Sequence, residues 1–184
     1  MQRAFEPGYF GKLPLAADFL SRHAGDAEAF ALERWLQEAV ALARLRFGPA
    51  ADGKLRDFLP HRFVFWTKDP EAFLVGVLAP GRDRAGRRFP FAVFLQNRAP
   101  KFRTLAPTFP AAFAPFLAEA GRIARTEDGT PPELQAALLA AAGRAPGPGD
   151  AGAFSAEEIL ERRTVGGIEA AFPGSFGRGL EGLR

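Results

Sequence analysis

The chain contains no cysteine among its 184 residues. That excludes disulfides, thiol nucleophiles and thiolate metal sites, and it suits a reducing compartment. Tyrosine is almost absent, with one Tyr against nineteen Phe, which favours buried aromatics over a wet, Tyr-rich recognition face. Histidine is confined to His23 and His61. Two separated histidines do not make a zinc site, and neither a His-Glu-x-x-His nor an EF-hand pattern appears, so no metal or other cofactor is expected. Long apolar runs are missing too: no stretch approaches the roughly 20 residues that a membrane helix needs. The opening MQRAFEPGYFGKLP lacks the basic and apolar regions of a signal peptide. A soluble cytoplasmic protein with no membrane insertion is the expectation.

What remains is an ordinary share of apolar residues and a charge excess carried by arginine. Net charge is +3, and Lys12, Lys54, Lys68 and Lys101 are the only lysines. So small an excess, without a nucleic-acid motif, gives no reason to expect a nucleic-acid partner. The length fits one domain spanning residues 1–184.

Periodicity orders the elements. Tyr9 to Leu13 reads as a short strand ended by Pro14. Asp26 is placed to cap a helix with Glu28 in its first turn. Leu32, Trp35, Leu36, Ala39, Ala43 and Phe47 recur at helical spacing, and Gly48-Pro49 stops the run. Arg62 to Trp66 and Phe73 to Leu78 alternate with a period of two and predict a hairpin. Phe91 to Leu95 is apolar throughout, which implies a strand buried on both faces. Thr108 opens a predicted helix carrying Phe109, Phe113, Phe116, Leu117, Ala120 and Ile123. Thr130-Pro131-Pro132-Glu133 and Ser155-Ala156-Glu157-Glu158 have the form of capping boxes, opening helices to about Ala142 and Arg163. Residues 145–150 read as an exposed loop, and the Gly-rich tail from Gly166 has no assigned element. Strands flanked by helices define an α/β layered fold, and the hairpin makes its sheet mixed or partly antiparallel.

No catalytic set emerges. His23 lies near Asp18, Ser21 and Asp26, but triads are defined by geometry rather than by proximity in sequence. There is no Gly-x-Ser-x-Gly elbow. Gly11-Lys12 is followed by Leu13-Pro14 instead of a hydroxyl residue, so a nucleotide-binding P-loop is rejected. The remaining concentration of chemistry is Pro80-Gly81-Arg82-Asp83-Arg84-Ala85-Gly86-Arg87-Arg88-Phe89-Pro90, where four arginines face one aspartate between Arg82 and Arg88. Asp83 is placed to accept loop amides or to pair with Arg84, Arg87 or Arg88. Two readings stay open: a self-paired, solvated turn, or a contact surface for an acidic or phosphorylated protein partner.

Two motifs in order resemble one family, the type VI secretion-associated proteins TagF, also called ImpM. The first is Gly11-Lys12-Leu13-Pro14 followed by Asp18-Phe19, and the second is the Pro80–Pro90 stretch with Asp83, Gly86, Arg87, Phe89 and Pro90. Between them lies a helix with the Trp35-Leu36 pair. Ala17 stands where the family pattern has glycine, and Gly81 where it has serine. The resemblance covers about residues 8–95. It implies a compact α/β/α layered domain without enzymatic activity. It further implies a cytoplasmic accessory protein of the bacterial type VI secretion system, a post-translational negative regulator that binds the forkhead-associated scaffold. Arg82, Arg84, Arg87 and Arg88 are the candidates for partner contact. Gly11, Lys12, Pro14, Asp18, Phe19, Trp35, Asp83, Gly86, Phe89 and Pro90 are expected to shape the fold, with Trp35 and Leu36 on the buried helix face. The alternative is a small phosphate-binding or hydrolytic enzyme that uses the arginine loop.

Overall fold

The apolar run after Pro90 forms the middle strand of the protein. A computed structural model of the chain describes residues 6–22, 27–69, 71–98 and 109–145. Five strands, β1 (Glu6–Gly11), β2 (Leu20–Arg22), β3 (His61–Phe65), β4 (Ala72–Ala79) and β5 (Phe91–Arg98), make one sheet in the order β2-β1-β5-β4-β3. Every pairing in it is antiparallel, so the sheet expected to be mixed or partly antiparallel is antiparallel throughout, no helical crossover returning a strand parallel to its neighbour. The hairpin expected from residues 62–78 is β3–β4, with Val64 opposite Val75.

Helices cover both faces. On one side lie α1 (Ala27–Phe47) and α2 (Ala51–Asp57). On the other lie α3 (Phe109–Ala112), α4 (Ala114–Ile123) and α5 (Pro131–Ala142). Side-chain alternation along β5 explains why its sequence is apolar at every position. Phe91, Val93 and Leu95 pack under α3–α5, while Ala92 and Phe94 meet α1 and α2. Among the described residues the α3–α5 side holds the larger core: Phe73, Phe91, Phe109, Phe113 and Phe116 are completely buried in it. The capping box at α5 forms as expected, the Thr130 amide donating to the Glu133 carboxylate at 2.8 Å. The helix expected across 109–123 is interrupted at Phe113, which separates α3 from α4.

One expectation is corrected. Leu36 is buried, but Trp35 is 52% exposed. The face that α1 presents to the sheet runs through Ala29, Leu32, Leu36 and Val40, at the i, i+3, i+4 spacing of one helix face. Ala39 and Phe47 are exposed as well. The helix carries apolar residues around more than its core stripe, and the sequence window selected a stripe rotated by about one position, since neighbouring positions lie about 100° apart on the helix. His23, the Asp26 and Thr108 caps, most of the 145–150 loop, the 155–163 helix and the Gly-rich tail lie outside the described residues.

Candidate functional site

The two motifs, far apart in sequence, form one structure. Residues 82–88 fold into a small hairpin in which Arg82 and Arg88 pair as an isolated antiparallel bridge. The Gly86 amide donates to the Asp83 carbonyl at 2.9 Å and the Asp83 amide to the Arg87 carbonyl at 3.0 Å. Gly86 has φ +83°, a left-handed conformation that glycine adopts without steric cost and that commonly follows the turn of a three-residue hairpin loop.

This hairpin docks on the loop that leaves β1. Three successive carbonyls of that loop, those of Leu15, Ala16 and Ala17, are satisfied by two arginines. The Arg84 amide donates to Ala16 at 2.8 Å, the Arg84 guanidinium to Leu15 at 2.9 Å, and the Arg87 guanidinium to Ala17 at 2.5 Å. Glycine permits the close approach. A Cβ at Gly81 would stand 2.3 Å from the Lys12 carbonyl oxygen, and one at Gly11 (φ +133°) 2.1 Å from that of Pro90. The Asp18 carboxylate accepts the Phe19 amide at 2.8 Å near the end of the loop.

Between the two loops lies a buried ion pair. Lys12 Nζ is 2.8 Å from Asp83 Oδ2, and the Asp83 side chain is entirely removed from solvent. Asp83 also accepts the Arg87 amide at 2.9 Å and Arg87 Nε at 2.7 Å. Burial opposes ionisation of this carboxyl, but the hydrogen bonds from Lys12 and Arg87, together with the Lys12 charge, prevail and hold it well below the usual carboxylate range. Lys12 is covered in turn by the Phe19 ring, 4.8 Å from its ammonium. Phe19 stacks on Phe10 at 5.4 Å and meets the edge of Phe89 at 4.9 Å. Pro90 is buried beside them at the entry to β5. Gly11, Lys12, Phe19, Asp83, Gly86, Phe89 and Pro90, all singled out in the sequence, are therefore brought together. Trp35 is not part of this assembly.

The four candidate arginines divide into two pairs. Arg84 and Arg87 hold carbonyls of the facing loop. Arg82 is exposed and stands 3.7 Å from Glu127, and the Arg88 side chain makes no hydrogen bond or ion pair with a described residue. Arg82 and Arg88 line a cleft of about 300 Å³ together with Arg56, Arg125 and Glu127, over the apolar Leu13, Pro14 and Pro80. Arg56 is clamped to Asp57 by two contacts, at 2.6 and 2.9 Å. The Asp57 carboxyl lies below its ordinary value through that bond and through the charges of Arg56 and Arg88. A second cleft, of about 350 Å³, lies between Tyr9 and the start of α5 and has no charged residue in its lining. Sequence reading missed Arg56 and Arg125, which reach the cleft only through the packing of α2 and of the turn after α4. It also missed Lys12 as the partner of Asp83, because no local spacing signals a contact across the sheet.

The fold and this junction define an α/β/α layered domain built on an antiparallel sheet, with two loops pinned by an internal charge pair. The family profile described as "TagF N-terminal domain, Type VI secretion system-associated" matches residues 8–141, and the chain belongs to that family. PA0076 from Pseudomonas aeruginosa PAO1, known from a crystal structure, has a similar fold. Its TM-score is 0.54 at 24% identity, over 77% of this chain and 63% of the PA0076 chain. This chain thus spans less than two thirds of that protein. None of the curated proteins matches the chain. Among the described residues, no helix is long and apolar enough to cross a membrane, and no three His, Cys, Asp or Glu residues converge as a metal site.

Proposed function

We propose that the chain is a non-enzymatic, cytoplasmic accessory protein of a bacterial type VI secretion system. It acts as a post-translational negative regulator by docking a forkhead-associated scaffold on its arginine-hairpin face. The setting is supported by membership of a type VI secretion-associated family. The observation that carries the docking reading is the division among the arginines. Arg84 and Arg87 fix the hairpin to the facing loop, while Arg82, held only by the exposed Glu127 at 3.7 Å, and the half-buried Arg88, with no hydrogen bond or ion pair from its side chain to a described residue, stand on a surface already held in shape. A preorganised contact loses little conformational freedom on binding, and arginine forks pair well with acidic groups. Arg84 and Arg87, exposed beside them, complete the face.

The enzymatic alternative has less support. Asp83, the carboxylate of the loop, is fully buried and receives three hydrogen bonds, so it is not available to a substrate as a base. The test is the association rate of Arg82→Glu with Arg88→Glu against a purified forkhead-associated scaffold at two ionic strengths. Association is expected to slow by about tenfold at low salt, with the gap narrowing as salt rises. A folded variant with the wild-type rate and salt dependence would sink the reading.

A further inference from the structure

The cleft beside the hairpin gathers positive charge from three places. Arg56 arrives from α2, Arg82 and Arg88 from the two limbs of the hairpin, and Arg125 from the turn after α4. Two carboxylates stand against these four guanidinium groups. Asp57 is outside the lining, held by Arg56 and within reach of the Arg88 charge, and Glu127 approaches only Arg82, at 3.7 Å, with its side chain 72% exposed. Arg88 and Arg125 have no ion-pair partner among the described residues. On a flat surface such charges are screened one by one, whereas a concave site focuses their field on a single bound group. Guanidinium groups stay charged and offer donors in a rigid fork. Several forks lining one cleft suit a group with three acceptor oxygens and about two negative charges.

We propose that this cleft binds a phosphoryl group carried on a side chain of a partner protein. Arg88 and Arg125 are the principal forks, with Arg56 and Arg82 at the flanks. The proposal rests on the reading that the hairpin face docks a protein partner. It adds the ligand class and two residues, Arg56 and Arg125, that no motif marks. A volume of about 300 Å³ is at the small end for ligand pockets, and it suits one phosphorylated side chain better than a nucleotide. Pro14 and Pro80, half-buried at the cleft, offer apolar surface to the chain that carries the phosphate.

Titration of the full chain with inorganic phosphate at constant ionic strength, followed through the arginine Nε–H NMR signals, tests the site. Saturable shifts are expected at Arg88 and Arg125. Arg125→Gln should weaken phosphate binding about tenfold, the effect of losing one hydrogen bond to a charged group, without moving the thermal midpoint. N-acetyl phosphothreonine amide should displace phosphate, and its unphosphorylated form should not. Acetate shifting the same signals equally, or an unchanged affinity in Arg125→Gln, would overturn the proposal. Phosphate binding that phosphothreonine cannot displace would also overturn it, by assigning the cleft to a free anion. Scaffold association lost on reversing Arg82 and Arg88, with no phosphate binding by wild type, defeats this inference and leaves the docking reading intact. Phosphate binding with no scaffold association does the opposite.

Discussion

The centre of the sheet and the arginine hairpin are consecutive in the chain and are held by opposite means. In β5, Phe91, Val93 and Leu95 press against α3–α5, and Ala92 and Phe94 against α1 and α2. Nothing there depends on one contact, because apolar packing is shared among many neighbours and tolerates swaps of equal volume. In the hairpin, one carboxylate organises the whole turn: Asp83 takes bonds from Lys12, the Arg87 amide and the Arg87 side chain. Such a site has no equivalent substitute, because removing either charge leaves the other buried without its partner. The difference shows why both family motifs lie almost wholly in loops at the end of the sheet, with only Gly11 in a strand. A strand specifies a hydrophobic pattern, whereas the loop pair requires particular residues.

Substitutions in the two regions should separate these modes of stabilisation. Phe73→Ala, in the larger core, should lower unfolding free energy by about 3–5 kcal/mol in urea melts, while Phe73→Leu should cost much less. Lys12→Met should cost about 3 kcal/mol, the low end for removing one partner of a buried pair, because Arg87 still holds the carboxylate. A loss under about 1 kcal/mol, the range of exposed pairs, would mean that the pair behaves as a surface contact.

The comparison sharpens with pH. The Asp83 carboxyl titrates below its ordinary value in the folded protein. Its ionised form therefore stabilises the fold above about pH 4, the unfolded value, and that contribution is lost as pH falls toward the depressed folded value. Asp69 and Glu119 shift the same way, through the Glu71 amide and the Arg122 side chain, but these partly exposed groups are screened by salt. In high salt, the stability gap between wild type and Asp83→Asn should be widest near neutral pH and close below pH 4. A gap that stays constant into acid would separate the role of Asp83 from its charge. The smallest effect belongs to the exposed side of α1: Trp35→Ala should change stability by less than about 1 kcal/mol, as surface positions do. A loss as large as that of Phe73→Ala would place Trp35 in the core.

The sequence revealed these two regions unequally. Strands β3, β4 and β5 and the start of α5 were legible because period-two alternation, an unbroken apolar run and a capping box are local signals. Trp35 was misplaced because α1 is apolar on more than one side, and periodicity alone does not select the stripe that meets the sheet. In the candidate site, the motifs mark Lys12 and Asp83 individually, and of the partners open to the carboxylate (loop amides, Arg84, Arg87 or Arg88) the structure selects the Arg87 amide and side chain. The Lys12–Asp83 contact was not legible, because it is created when β1 and β5 pair and bring their adjoining loops together. Arg125 carries no local pattern at all, and its place at the cleft follows only from how α4 ends.

The most direct test is a double-mutant cycle on stability with Lys12→Met, Asp83→Leu and the combined variant. If the buried charge pair pins the hairpin, each single change destabilises strongly, and the combination recovers much of the loss. The coupling should then be on the order of 1–3 kcal/mol. Losses that simply add, with the combined variant as unstable as the two single effects together, would contradict it.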